Sequence, residues 1–167
     1  MIKRSRGSKG IKVLECINPK YQKYRLRWDI QINYNEDGEE QGVDFFEYEF
    51  IHKPTIQEIK EVILNSINSI IDEKIVSGYT WKNMPIWLST ENQFNYKAAF
   101  DLAVTYGSNL PVTFKFGTTE EPIYYTFESV EDLAEFYTGA MKYINTQLNQ
   151  GWQEKDNFDW SPYIEAL

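Results

Sequence analysis

The apolar residues of this chain switch repeatedly between a period of two and a period near 3.6, which confines it to folds where hairpins and helices take turns. Between residues 24 and 34, Leu26, Trp28, Ile30, Ile32 and Tyr34 alternate with Arg25, Arg27, Asp29, Gln31 and Asn33, as in a half-buried strand. A polar run follows in which Asp37-Gly38 supplies the positive φ of a hairpin turn. Phe46, Tyr48 and Phe50 then alternate with Glu47 and Glu49, so the aromatic face is expected to turn inward on a returning strand. Residues 11–17 add an edge strand.

Helical spacing begins after Pro54. Thr55-Ile56-Gln57-Glu58 fits a capping box, and Ile56, Ile59, Ile63, Ile67, Ile70 and Ile71 form the apolar stripe of a helix lying on the sheet. Two short strands flank Lys82-Asn83-Met84. Thr90-Glu91-Asn92-Gln93 opens a second helix to about Tyr106, with Phe94, Ala98, Leu102 and Tyr106 on one side and Gly107 as its stop. A hairpin turns at residues 118–122. Ser129 caps a third helix, which Gly151 is expected to end, leaving a polar segment anchored by Trp160 and Tyr163.

The pattern predicts an α+β fold in which antiparallel hairpins alternate with three helices in a single compact domain. Its parts are a basic flexible arm over residues 1–10, an N-terminal antiparallel β unit over 11–53 and an α+β body over 54–167. Hairpins make antiparallel neighbours, which argues against a doubly wound parallel sheet. With 167 residues, 42% hydrophobic and 16% aromatic, the chain has enough apolar surface for one core. Its one cysteine, Cys16, forms no internal disulfide and is expected to be a small buried hydrophobe.

Charge is polarised along the chain. Lys3, Arg4, Arg6, Lys9 and Lys12 precede the first acidic residue, Glu15; without them 12 basic residues face 25 acidic ones, a charge near −13 against the net −8 of the whole. Such an arm suits an acidic surface on a neighbouring subunit, including a copy of this chain, and its deletion is then expected to leave the thermal midpoint of the domain nearly unchanged. An acidic body disfavours nucleic acid, because about five cations hold phosphates weakly at physiological salt. No stretch approaches the ~20 apolar residues of a membrane helix, and the first ten residues have no apolar core of a signal peptide. No membrane contact is expected.

Residues able to do chemistry are scattered. His52, the one histidine, sits in a connection, and no Gly-x-Ser-x-Gly elbow accompanies it. Among carboxylates, Glu120, Glu121, Asp132 and Glu135 could form a hydrolytic pair, yet the first two fall in a turn and Asp132 in the first turn of a helix, where negative charge suits the dipole. Asn33, Asn35, Asp37, Gly38 and Asp44 approach a calcium-loop spacing, but Asn takes the first position, Asp the last, and the flanks read as strands. No phosphate-binding loop is present. No catalytic centre, metal or cofactor is therefore expected. Trp81, Trp87, Trp152 and Trp160 sit near turns or segment ends, where exposed rings suit protein interfaces or stacking on sugars. The candidate interaction residues are Lys3, Arg4, Arg6, Lys9 and Lys12 with Trp152 and Trp160.

Residues 77–152 carry Ser-Gly-Tyr-Thr-Trp, then Thr-Glu-Asn-Gln-Phe-Asn opening a helix, then Leu110-Pro111 and a short hairpin before an acidic helix start. With Gly78, Trp81, Gln93, Asn95 and Pro111 as markers, this stretch resembles an uncharacterised domain of tail-associated proteins of phages and prophages. The resemblance covers under half of the chain and does not extend to the N-terminal β unit. It implies a non-enzymatic structural or adaptor component of a tailed-phage virion, assembled in the host cytoplasm beside other virion proteins or copies of itself, with no catalytic residues to transfer. The alternative is a carbohydrate-binding module that contacts host surface glycans.

Overall fold

The computed structural model describes residues 1–167. Its elements are β1 (Lys3–Gly7), β2 (Leu14–Asn18), β3 (Lys23–Tyr34), β4 (Glu40–Phe50), α1 (Ile56–Ser77), β5 (Tyr79–Trp81), β6 (Met84–Ile86), α2 (Thr90–Tyr106), β7 (Val112–Gly117), β8 (Pro122–Phe127), α3 (Val130–Asp156) and the short α4 (Ser161–Glu165). Antiparallel hairpins alternate with three long helices, the α+β fold that the periodicity implies. No helix is long and apolar enough to cross a membrane. Two compact units divide within α1: Met1–Ile67 with Asn157–Leu167, and Asn68–Asp156. The sequence suggests a seam at residues 52–55; in the structure the first unit runs on into the helix and is completed by the last segment of the chain.

The first unit holds a four-stranded antiparallel sheet in the order β1-β4-β3-β2. The first ten residues thus supply an edge strand in place of the expected flexible arm. Their charges explain the pairing: Lys3 meets Glu47 at 2.9 Å, Arg4 meets Asp29 at 2.6 Å, Arg6 approaches Asp44 at 3.9 Å and Lys9 meets Glu40 at 2.6 Å. The acidic surface expected on a neighbour is provided by β3 and β4 of the same chain.

Because β1 and β2 occupy opposite edges, the six residues between them must cross the sheet. Three strand spacings are ~14 Å, and six extended residues reach ~20 Å. The crossing segment lies over the face that carries Phe45 and Arg27. The Lys12 carbonyl accepts from the Arg27 guanidinium at 2.9 Å, while Gly7 lies so close to the Phe45 ring that a Cβ there would meet it at 3.0 Å. Val43, Phe45, Arg27 and Glu47 are consequently buried. The aromatic side of β4 does share a face with buried Leu26 and Trp28, but Phe46 and Tyr48 are only half-buried there and Phe50 alone of the trio is core.

Burying two charges costs several kcal/mol per ion unless each finds partners. Glu47 accepts from Ser5 at 2.9 Å besides pairing with Lys3, and the Arg25 guanidinium stands 3.4 Å away; Arg27 donates to Glu15 at 2.9 Å. Burial pushes the Glu47 carboxyl up, but the bonds from Lys3 and Ser5 and the charge of Arg25 hold it below its ordinary value.

The opposite face buries Leu26 and Trp28, and here β3 also departs from simple alternation. Asp29 adopts a left-handed φ of 50°, and the register shifts between Trp28 and Gln31. Such a bulge adds one residue and so reverses the parity of everything after it. Ile30, Ile32 and Tyr34, expected in the core, are exposed. Aspartate tolerates this conformation, and its carboxylate is held by Arg4 and by Gln31 at 2.8 Å. Ile59, Ile63 and Ile67 of α1 join the core of this unit, with Tyr163 of α4, whose hydroxyl donates to the Arg27 carbonyl at 3.2 Å. Cys16 is exposed, because it lies near the end of edge strand β2, beyond the buried Leu14–Leu26 pair.

Helix starts follow local chemistry. The Thr55 hydroxyl accepts from the Glu58 amide at 3.3 Å, and the Glu58 carboxylate accepts from the Thr55 amide at 2.8 Å, completing the expected box. In α2 the cap shifts by one residue: the Ser89 hydroxyl accepts from the Asn92 amide and Thr90 is already helical. Ser129 accepts from the Asp132 amide at 3.2 Å, as expected, and Gly107 ends α2 with φ 58°. Gly151 does not end α3. It is buried inside the helix, five residues before its end, where a Cβ would come within 2.8 Å of Ile71, so its smallness serves close packing.

Two outcomes are expected. Deleting residues 1–10 should lower the thermal midpoint by about 10 °C or more in calorimetry, since it strips Lys3 and Ser5 from buried Glu47. The Thr55 amide and hydroxyl, with the His52 ring at 2.8 Å, hold the Glu58 carboxyl down from 4.5 to about 2. A depressed folded-state pKa gives stability that is complete above 4.5 and lost as pH falls toward 2. Glu58→Gln should therefore flatten the fall in thermal midpoint across that window relative to the unaltered chain.

Candidate functional site

The second unit gathers aromatic rings around Trp81. The β5–β6 hairpin turns at Lys82 and Asn83, both with positive φ (48° and 61°), which matches the twist of a two-residue hairpin and seats Trp81 opposite Met84. Trp81, expected as an exposed ring near a turn, is buried. Its indole stacks on Phe127 (centroids 5.4 Å apart) and meets Phe136 (5.2 Å) and Tyr125 (5.0 Å) edge-on. Tyr96 of α2 closes against Phe136 at 5.0 Å. Each such pair adds ~0.5–1.5 kcal/mol beyond its buried area, enough to outweigh the indole N–H, which finds no acceptor.

Three polar groups rim this cluster. Lys82 Nζ lies 4.3 Å from the Trp81 ring centroid and donates to Asp132 at 2.6 Å and to the Tyr125 hydroxyl at 3.0 Å; that hydroxyl donates to the other Asp132 oxygen at 2.6 Å. Hydrogen bonding to Asp132 raises the Lys82 pKa. Desolvation pushes Asp132 up, but the bonds from Lys82 and Tyr125 hold it below its ordinary value. Lys82 and Asp132 are thus each held in the charged form at neutral pH, unlike an acid or base poised near the working pH. The trio clamps the hairpin tip to the start of α3.

Glu120, Glu121 and Glu135 are not assembled with Asp132 into one bonded cluster. Glu120 and Glu121 are exposed in the β7–β8 turn, where Glu121 bonds Thr118 through its backbone, and Glu135 is exposed on α3. His52 caps Glu58. Of the calcium-loop residues, Asn35 directs its side-chain oxygen to the Asp37 and Glu39 amides at 3.1 and 2.7 Å, while Asp44 faces Arg6. No group of three or more His, Cys, Asp or Glu side chains is arranged to hold a metal.

Of the expected interaction residues, Lys3, Arg4, Arg6 and Lys9 are engaged within the chain, and Lys12 keeps an exposed side chain. Trp152 is 53% exposed, within α3 instead of beyond its end. Trp160 is half-buried against Phe158, ring centroids 4.4 Å apart, under the Lys60 ammonium. The α2 face expected to be buried is outside: Phe94 and Tyr106 are 71% and 74% exposed and Leu102 is also in solvent, whereas Tyr96, Ala99 and Ala103 turn inward. Two alanines let the helix approach the aromatic cluster closely. They are the sequence signal that apolarity alone hides.

A concavity of about 470 Å³ lies in the same unit, floored by Ile86 and Phe116 and walled by Trp87. Its sequence signal is the alternation of buried Met84, Ile86 and Leu88 with exposed Pro85 and Trp87. No family model, curated protein or solved structure matches this chain.

Replacing Trp81 by alanine should cost about 3–5 kcal/mol in urea unfolding, as expected for a large buried aromatic. The exposed Trp152→Ala should stay within about 0.5 kcal/mol of the unaltered chain.

Proposed function

We propose that this chain is a non-enzymatic structural or adaptor component of a tailed-phage virion. It acts through protein–protein contacts with other virion proteins or further copies of itself, and assembles in the host cytoplasm. The observation that carries the contact role is the outward stripe of α2. Phe94, Ala98, Leu102 and Tyr106 recur every four residues along one side of a 17-residue helix, and Val104 adds a further exposed apolar side chain.

Single exposed apolar residues are ordinary, but a line of them including two aromatic rings has the composition of a contact surface. The Lys97–Asp101 pair, 2.5 Å apart, borders this stripe with opposite charges that neutralise each other, and exposed Glu91, Asn95 and Thr105 add polar groups around it. The virion setting is supported by the resemblance of residues 77–152 to phage tail-associated domains.

Sedimentation of the full chain over a concentration series tests the contact role. The unaltered chain should self-associate, and Phe94→Ser with Tyr106→Ser should weaken association at least about tenfold while circular dichroism stays unchanged. Identical monomeric sedimentation of both proteins would remove the support that α2 gives.

A further inference from the structure

We propose that the cleft beside Trp87 binds an acidic saccharide, with a sugar ring stacked on the indole and its carboxylate on Lys115. This site is separate from the α2 stripe and does not rest on the adaptor reading. Its volume of about 470 Å³ falls within the range of small-ligand sites, roughly 300–1,000 Å³.

The walls are held in place before any ligand arrives. Ile86 and Leu88 are fully buried on either side of Trp87, so strand alternation leaves the indole, 55% exposed, no inward option. Its backbone is tied at the carbonyl, which accepts from the Asn92 side chain at 2.8 Å, and the next amide, of Leu88, donates to the Val76 carbonyl at 2.8 Å. The opposite lip is a locked turn. Gly117 has φ 80°, and a Cβ there would strike the Glu121 carbonyl; the Thr118 amide donates to that carbonyl at 3.1 Å and the Thr118 hydroxyl accepts from the Glu121 amide at 3.0 Å. Thr119 and Ser77 bring further hydroxyls to the rim.

The chemistry selects among ligands. A flat aromatic wall with hydroxyls at its edge fits a sugar, whose ring presents C–H groups on its faces and hydroxyls around its rim. Lys115 is the one basic residue of the cleft and has no acidic partner, so it supplies one positive charge to a carboxylate. A nucleic-acid strand needs a groove of several cations, whereas Lys115 alone, beside a turn that carries Glu120 and Glu121, matches a ligand with a single carboxylate. An extended peptide would add to a strand edge, yet Pro85, at the centre of three-residue β6, offers no N–H.

The test is a glycan array probed with the full chain, printed with uronic-acid and sialic-acid oligosaccharides beside carboxyl-reduced copies of the same sugars. Selective binding to the acidic members is expected. Trp87→Ala should weaken it at least about tenfold, Lys115→Gln should abolish the preference for the acidic over the reduced form, and Trp152→Ala should leave binding unchanged. Circular dichroism of each variant separates loss of binding from loss of fold. No binding by the unaltered chain, equal binding to both forms of each sugar, or full binding by folded Trp87→Ala would each overturn the proposal.

Discussion

The indole of Trp81 meets Phe127 of β8 face to face and Phe136 of α3 edge-on, so a three-residue strand, a hairpin and the longest helix of the chain share one contact. Much of the second unit follows from it. Phe116, packed on the same cluster, floors the cleft beside Trp87, and Tyr96 brings α2 down on its small-residue side. With that side committed to the aromatic core, Phe94, Leu102 and Tyr106 have no inward position left. The exposed stripe is therefore a consequence of where the rings collect. Lys82, Tyr125 and Asp132 complete the arrangement by pinning the hairpin tip, with charges that burial alone would disfavour but direct hydrogen bonds retain.

In the first unit the organising constraint is the route between β1 and β2. Placing consecutive strands on opposite edges forces the connection across a sheet face, and that face then buries Arg27 and Glu47 beside Phe45. Buried charges need partners, and β1 supplies two of them to Glu47. The basic N-terminal residues, whose polarity along the chain suggests an outward-reaching arm, instead neutralise acidic residues of their own sheet. In the folded molecule the charge asymmetry is largely internal, which shifts the case for outside contacts from the arm to the exposed rings of Trp87 and α2.

Much of the element order was legible because local chemistry settles it. Thr55 with Glu58, Ser129, and Gly107 mark helix ends through bonds or dihedrals reaching no more than four residues, and Asp37-Gly38 marks a turn in the same way. The features that local chemistry leaves open have a different origin. Ser89 displaced Thr90 as a cap because either hydroxyl could serve, and Gly151 looked like a stop although its lack of a side chain admits Ile71. Strand β1, made of Lys3, Arg4, Ser5, Arg6 and Gly7, carries no apolar alternation, since it is held by backbone pairing and ion pairs with residues some 25 to 44 positions away. No local window contains that information.

The sequence by itself determined the alternation of hairpins and helices, the main caps and turns, and the concentration of positive charge at the N-terminus, because each depends on residues within a turn or two of one another. Only the tertiary structure decided which faces look inward. One added residue at Asp29 reversed the parity of β3, two alanines reversed the facing of α2, and a crossing segment buried the charged side of β4. A periodic pattern states that a strand or helix has two faces; which one is covered depends on what the rest of the chain can bring against it.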